Sequence, residues 1–127
     1  MFIRKLEHFS LLEEIAIDAM HPRDTMSKPA FIKNLQMTAL QDWVECVNLM
    51  DESEKFSLPP GMQELRADLK AYASQRIQET QLYIKANEEG TNRYNKQIDS
   101  LHTEINQLME KIRENKPAAG PSQEKAL

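Results

Sequence analysis

Hydrophobic positions in the last third of the chain recur every seven residues. Ile77, Ile84, Thr91, Ile98, Ile105 and Ile112 form one series, and Ala73, Thr80, Asn87, Tyr94, Leu101 and Leu108 each fall four residues earlier. This is heptad spacing. On a helix it draws one seam, which is stable only when another helix covers it. Isoleucine at one seam position and leucine at the other, over Ile98, Leu101, Ile105, Leu108 and Ile112, is the preference of a parallel two-stranded coil. The pattern therefore predicts a coiled coil over 73–112 within one long helix over 62–115, with Ile77, Ile84, Thr91, Tyr94, Ile98, Leu101, Ile105, Leu108 and Ile112 at an interface between chains.

The middle of the seam is thinner, with Thr80, Asn87 and Thr91 on it. Gly90 lies in a polar run, Asn87-Glu88-Glu89-Gly90-Thr91-Asn92, where a left-handed cap could end a helix and fold it back as a hairpin. The heptad phase runs unbroken from Ile84 through Thr91 to Ile98, and one exposed mid-helix glycine costs only about 1 kcal/mol. These two facts favour a continuous rod, about 80 Å long at about 1.5 Å per residue, with the hairpin as the alternative.

Upstream, the spacing predicts two further helices, over about 2–20 and 28–50. Phe2, Leu6, Phe9, Leu12, Ala16 and Ala19 follow helical spacing, widened by Ile3, Leu11, Ile15, Ile17 and Met20. Ser10 with Glu13 has the form of a capping box that would start the main helix at Leu11. His21-Pro22 ends this element. Ser27 is placed to cap the next one, with Pro29 in its first turn. Phe9, Leu12, Ile15, Phe31, Leu35, Leu40, Trp43, Val44 and Val47 are the expected core of this helical head. Both apolar faces are wider than one partner needs, so residues 62–72, whose stripe is out of register with the later heptads, are expected to complete the cluster. The domain reading is a head over 1–58, a Pro-Pro-Gly joint at 59–61, the long helix over 62–115 and a disordered tail over 116–127. The fold class is all-α: a small N-terminal helical head followed by a long C-terminal coiled-coil helix.

Composition narrows this picture without changing it. The 127 residues are 40% hydrophobic and 28% charged, with three glycines, which suits a small helical domain. Residues 1–60 carry 6 basic and 10 acidic side chains, and residues 61–127 carry 10 of each. The head is acidic and the rod balanced, so neither offers the concentrated positive surface that nucleic acid requires, and an anionic membrane leaflet would repel the head. No apolar run is long enough to span a membrane. The single cysteine, Cys46, precludes an internal disulfide and reads as a buried small hydrophobe.

Candidate chemistry is sparse. His8, His21 and His102 lack metal-ligand spacing with Cys46. Glu13/Glu14, Asp51/Glu52 and Glu88/Glu89 are sequence neighbours whose side chains diverge around a helix instead of converging on a cleft. Tyr72, Tyr83 and Tyr94 recur every eleven residues, a spacing that reads as amphipathic packing. No phosphate loop or nucleophile elbow is present. The expectation is a protein that is not an enzyme and needs no cofactor or metal. It would be a protein–protein interaction, scaffold or adaptor subunit that oligomerises through its coiled coil, either as a homo-oligomer with a parallel dimer favoured or with another helical protein. The alternative is a small acidic chaperone-like partner for a secreted or assembling client. A cytoplasmic setting fits the reduced cysteine.

Overall fold

Phe2–Ala19 forms helix α1 without a break at Ser10, because Leu6, Phe9 and Leu12 continue one face across it. The computed structural model describes residues 2–22 and 25–115. The tail expected over 116–127 lies outside the described residues. α1 ends where the His21 imidazole Nδ1 donates to the Ile17 carbonyl at 2.8 Å and Pro22 follows.

Helix α2 is one rod in three pieces: Lys28–Asn34, a π turn over Leu35–Ala39, and Leu40–Glu52. Ser27 caps it, its Oγ accepting from the Ala30 amide at 3.2 Å. The π turn has a cause in the sequence. Phe31, Leu35, Ala39 and Trp43 recur every four residues, and all are buried. A helix of 3.6 residues per turn would rotate such a series away from the core. The wider turn, in which the Leu40 amide reaches back to the Leu35 carbonyl, absorbs that drift.

After a 3-10 turn at Ser53–Lys55, Phe56 and Leu58 pin the connection to the core. Helix α3, Pro60–Glu89, starts on Pro60, whose missing donor is not needed there. It ends at Gly90, which adopts a left-handed conformation with φ of 61° and ψ of 41°. The amides of Gly90 and Thr91 both return to the Ala86 carbonyl. This is the conformation that glycine adopts at least cost. Helix α4, Asn95–Asn115, then runs back along α3.

Each helix packs against the next in sequence. Asp51–Lys70 at 2.6 Å and Gln36–Glu88 at 3.4 Å set α2 antiparallel to α3. Tyr83–His102 at 3.0 Å and Asp68–Lys111 at 3.2 Å do the same for α3 and α4. The core centres on Tyr72 of α3, which meets the Trp43 ring edge-on at 5.6 Å and the Phe9 ring at 6.4 Å.

The all-α class therefore stands, but its architecture is a tightly packed bundle of four short-to-medium helices, not a head with a single long coiled-coil helix. The expected helix over 62–115 is interrupted at Gly90. Its two halves cover each other's seam, so the parallel coil expected over 73–112 is replaced by an antiparallel hairpin within one chain. Ile84, Ile98, Leu101, Ile105 and Ile112 are buried this way, and Ile77 and Leu108 are half-buried.

Ile105 is almost fully buried within the bundle. Ile105→Asp is expected to cost about 3 kcal/mol or more of folding stability with no change in solution mass. Chemical denaturation together with sedimentation equilibrium checks this. A switch from dimer to monomer on substitution would show that the seam binds a second chain.

Candidate functional site

Two features stand out from the packed apolar side chains: a buried polar junction and an apolar outer surface. The junction lies where α1, α2 and α4 meet α3. The Glu79 side chain is 0% exposed, and its Oε1 accepts from the Arg76 guanidinium, whose side chain is 15% exposed, at 2.8 Å. Its Oε2 contacts the His102 imidazole, which also meets the Tyr83 hydroxyl. Arg76 stacks over Trp43 and Tyr72, with its Cζ 5.6 and 5.4 Å from the two ring centres. Its Nε donates to the Tyr72 hydroxyl at 3.3 Å, and that hydroxyl donates to Glu13 of α1 at 2.5 Å. Thr80 completes the layer, donating to the Arg76 carbonyl at 2.8 Å.

The helical period explains this layer. Tyr72, Arg76, Glu79 and Tyr83 are three or four residues apart on one face of α3, and Thr80, four residues after Arg76, borders it. Burial, and then the neighbouring Glu13 carboxylate, push the Tyr72 hydroxyl above its ordinary range. Burial, and then Glu79, raise that of Tyr83. The groups bond to one another, and His102, 42% exposed, is the member that reaches solvent. Chemically, the junction fastens the hairpin to the head. Among the described residues, no group of three or more His, Cys, Asp or Glu could hold a metal ion.

The residues expected in the head core divide. Phe9, Phe31, Leu35 and Trp43 are buried, and Leu12, Leu40 and Val47 are half-buried. Ile15 and Val44 are 43% and 41% exposed. They widen the apolar stripes of α1 and α2 beyond the width that the neighbouring helices cover. Of the seam residues, Thr91 and Tyr94 belong to the turn. The Tyr94 hydroxyl donates to Glu89 at 2.8 Å, and the Thr91 hydroxyl accepts from the Arg93 amide. The three tyrosines therefore form no common face: Tyr72 is in the core, Tyr83 beside His102 and Tyr94 at the turn. Cys46 is buried, and its thiol is pushed up first by that burial and then by Glu13, Asp42 and Glu45.

The outer surface is uneven. Every exposed side chain described on α4 is polar. On α1, three of the nine exposed side chains are large aliphatics: Ile3 at 58%, Leu11 at 56% and Ile15 at 43%. α2 adds Met37 and Val44. This surface was missed because a wide apolar stripe reads in sequence as burial on two sides. Glu79 was missed because a lone glutamate in a charged helix gives no signal of burial.

No protein-family model matches the chain, nor does any curated protein or solved structure. The expectation of a coiled-coil oligomer serving as scaffold or adaptor loses its basis in the bundle, because the seam that motivated it is used up within the chain, and the compact bundle does not bear out the chaperone-like alternative either. Cytoplasmic residence gains nothing from the fold either. No helix among the described residues is long and apolar enough to cross a membrane, and that specifies no compartment.

Glu79→Ala leaves Arg76 without its buried counter-charge and is expected to destabilise the bundle by about 3 kcal/mol. A urea midpoint unchanged from wild type would remove the junction from the list of fastenings. Alkaline pH tests the same core. Unfolded, Cys46 and Tyr72 ionise near their ordinary values of 9.0 and 10.0; folded, they do so only well above them. The unfolded chain therefore loses protons first, and stability that is intact at neutral pH falls as pH rises beyond about 9. The urea midpoint is expected to drop between about pH 8 and 10.5, and to drop less in Tyr72→Phe.

Proposed function

We propose that this chain is a non-enzymatic protein–protein interaction module that presents a preformed helical surface. The supporting observation is the contrast between its two edge helices. α1 packs mainly against α2, with Phe9 and Glu13 reaching Tyr72 of α3, and α4 packs against α3. α4 turns a polar face to solvent, whereas α1 exposes Ile3, Leu11 and Ile15. Scattered exposed aliphatics are ordinary on a protein surface. A series along one edge helix, beside Met37 and Val44 on α2, is a surface suited to a partner.

Affinity capture from the native source, with the full chain as bait, tests the reading. A polypeptide retained by wild type and by Gln107→Ser on the outer face of α4 should fall at least tenfold with I3S/L11S/I15S or with M37S/V44S. All variants should melt like wild type, because the substituted side chains are exposed. If no retained polypeptide discriminates between these variants, the module reading fails.

A further inference from the structure

The outer face of α1 does not stand alone; one edge of α2 lies beside it. The Lys5–Glu52 ion pair at 2.8 Å fixes how the two helices face each other at one end. Seven residues along each helix from that pair lie Leu12 and Glu45, which occupy the same stripes. The Cys46 Sγ contact with the Phe9 carbonyl at 3.8 Å fixes the same antiparallel register. Glu45, with Asp42 one turn before it, therefore borders the part of α1 that carries Leu12 and Ile15. Glu7 and Glu14 of α1 flank Leu11 on the other side.

The charges on this surface are unbalanced. Among the described residues, Asp42, Glu45, Glu7 and Glu14 have no ion-pair partner. Lys5 is engaged by Glu52, so Arg4 and His8 are the remaining cationic or titratable bases on the α1 face. The Asp42 carboxyl is held above its ordinary range by partial burial and then by repulsion from Glu45, as expected for acids crowded together without a cation.

We infer that Leu11, Leu12 and Ile15, rimmed by Glu7, Glu14, Asp42 and Glu45, form a docking surface for a basic amphipathic helix of another protein. The inference rests on the interaction-module reading above and adds the partner's chemistry. The aliphatic side chains run along one helix edge, the shape that a second helix covers by laying its own apolar face against them. The rim selects for Lys and Arg on both sides of that face, since like charges would meet in any acidic partner. A second copy of this chain is disfavoured for that reason, because its matching surface carries the same carboxylates. From Leu11 to Ile15 the apolar edge is about one turn, about 6 Å at about 1.5 Å per residue, with Glu7 one turn before Leu11 in the same row, so about two turns of a partner helix cover it.

The probe is a synthetic fluorescein-labelled 18-residue helical peptide with a Leu/Ile face flanked by Lys and Arg. One control keeps that face and replaces the flanking bases by Glu. A second keeps the bases and replaces the apolar face by Ser. Fluorescence anisotropy with the full chain is expected to show binding of the first peptide at least tenfold tighter than of either control, weakening as salt is raised. L11S/I15S should weaken it at least tenfold, and E14Q/E45Q several-fold with a shallower salt dependence. Amide shift mapping should centre on α1. Equal binding of the Glu-flanked or Ser-faced peptide, no binding of any peptide, or shifts centred on Met37 and Val44 would overturn the inference. Each of those results leaves the module reading intact if the native capture still discriminates between surface variants; failure of that capture would remove the module reading itself.

Discussion

A helix that carries Ile98, Leu101, Ile105 and Ile112 on one side and polar residues on every other cannot hold its shape alone in water. Its apolar edge has to be covered, and short isolated helices are marginal even with good propensity. In this chain the cover is α3, reached through a left-handed residue at Gly90. The turn is tied by two amides on the Ala86 carbonyl and by Tyr94 and Arg93 closing onto Glu89. Once α4 lies back on α3, the rest of the arrangement follows. α3 becomes a central helix with one flank given to α4 and another to α2, and its ring-bearing face, Tyr72 with Arg76, receives the side chains of α1.

The polar junction adds direction to what the apolar contacts supply. Ile and Leu side chains pack nearly as well after a shift of one heptad, so the α3–α4 seam alone fixes its register weakly. Glu79 under Arg76 and beside His102 has no such tolerance, since a shifted register would bury a carboxylate without its partners. The Lys111 contacts to Asp68 and Glu64 pin the far end of the same pair of helices. Tyr72 extends the restraint to α1 through Glu13. Buried polar groups here select one packing among several of similar apolar content.

Much of this was legible in the sequence. His21-Pro22, Ser27 and Pro59-Pro60 mark helix limits by backbone chemistry that operates wherever these residues fall, and the helical periods of Phe9, Leu35 and Trp43 reveal their burial. The hairpin was harder to read. Heptad phase across Gly90 is continuous because Ile98 follows Ile84 by two heptads, whether the residues between form helix or turn. Each helix needs only its own seam to face the other, so phase cannot distinguish a rod from its folded form. Gly90 in a polar run was the better signal. The four-residue steps from Phe31 to Trp43 carry the signal of the π turn, which the expected regular helix over 28–50 did not include, while Glu79 could be found only once the helices were placed. On the candidate surface, Leu11 was visible as part of a wide stripe, but whether the far side of that stripe is covered depends on how many neighbours α1 has.

That dependence carries the functional argument. In a bundle built from consecutive antiparallel neighbours, the first and last helices each keep an open side. A polar open side, as on α4, leaves a bundle edge with little to offer a partner. The open side of α1 keeps Leu11 and Ile15 beside Glu7 and Glu14, which have no ion-pair partner among the described residues, although replacing either aliphatic by a polar residue would leave the core untouched. Core stability therefore does not explain their presence. The proposed association through an apolar strip with an acidic rim would account for it, because the strip supplies burial and the rim restricts which helices can reach it.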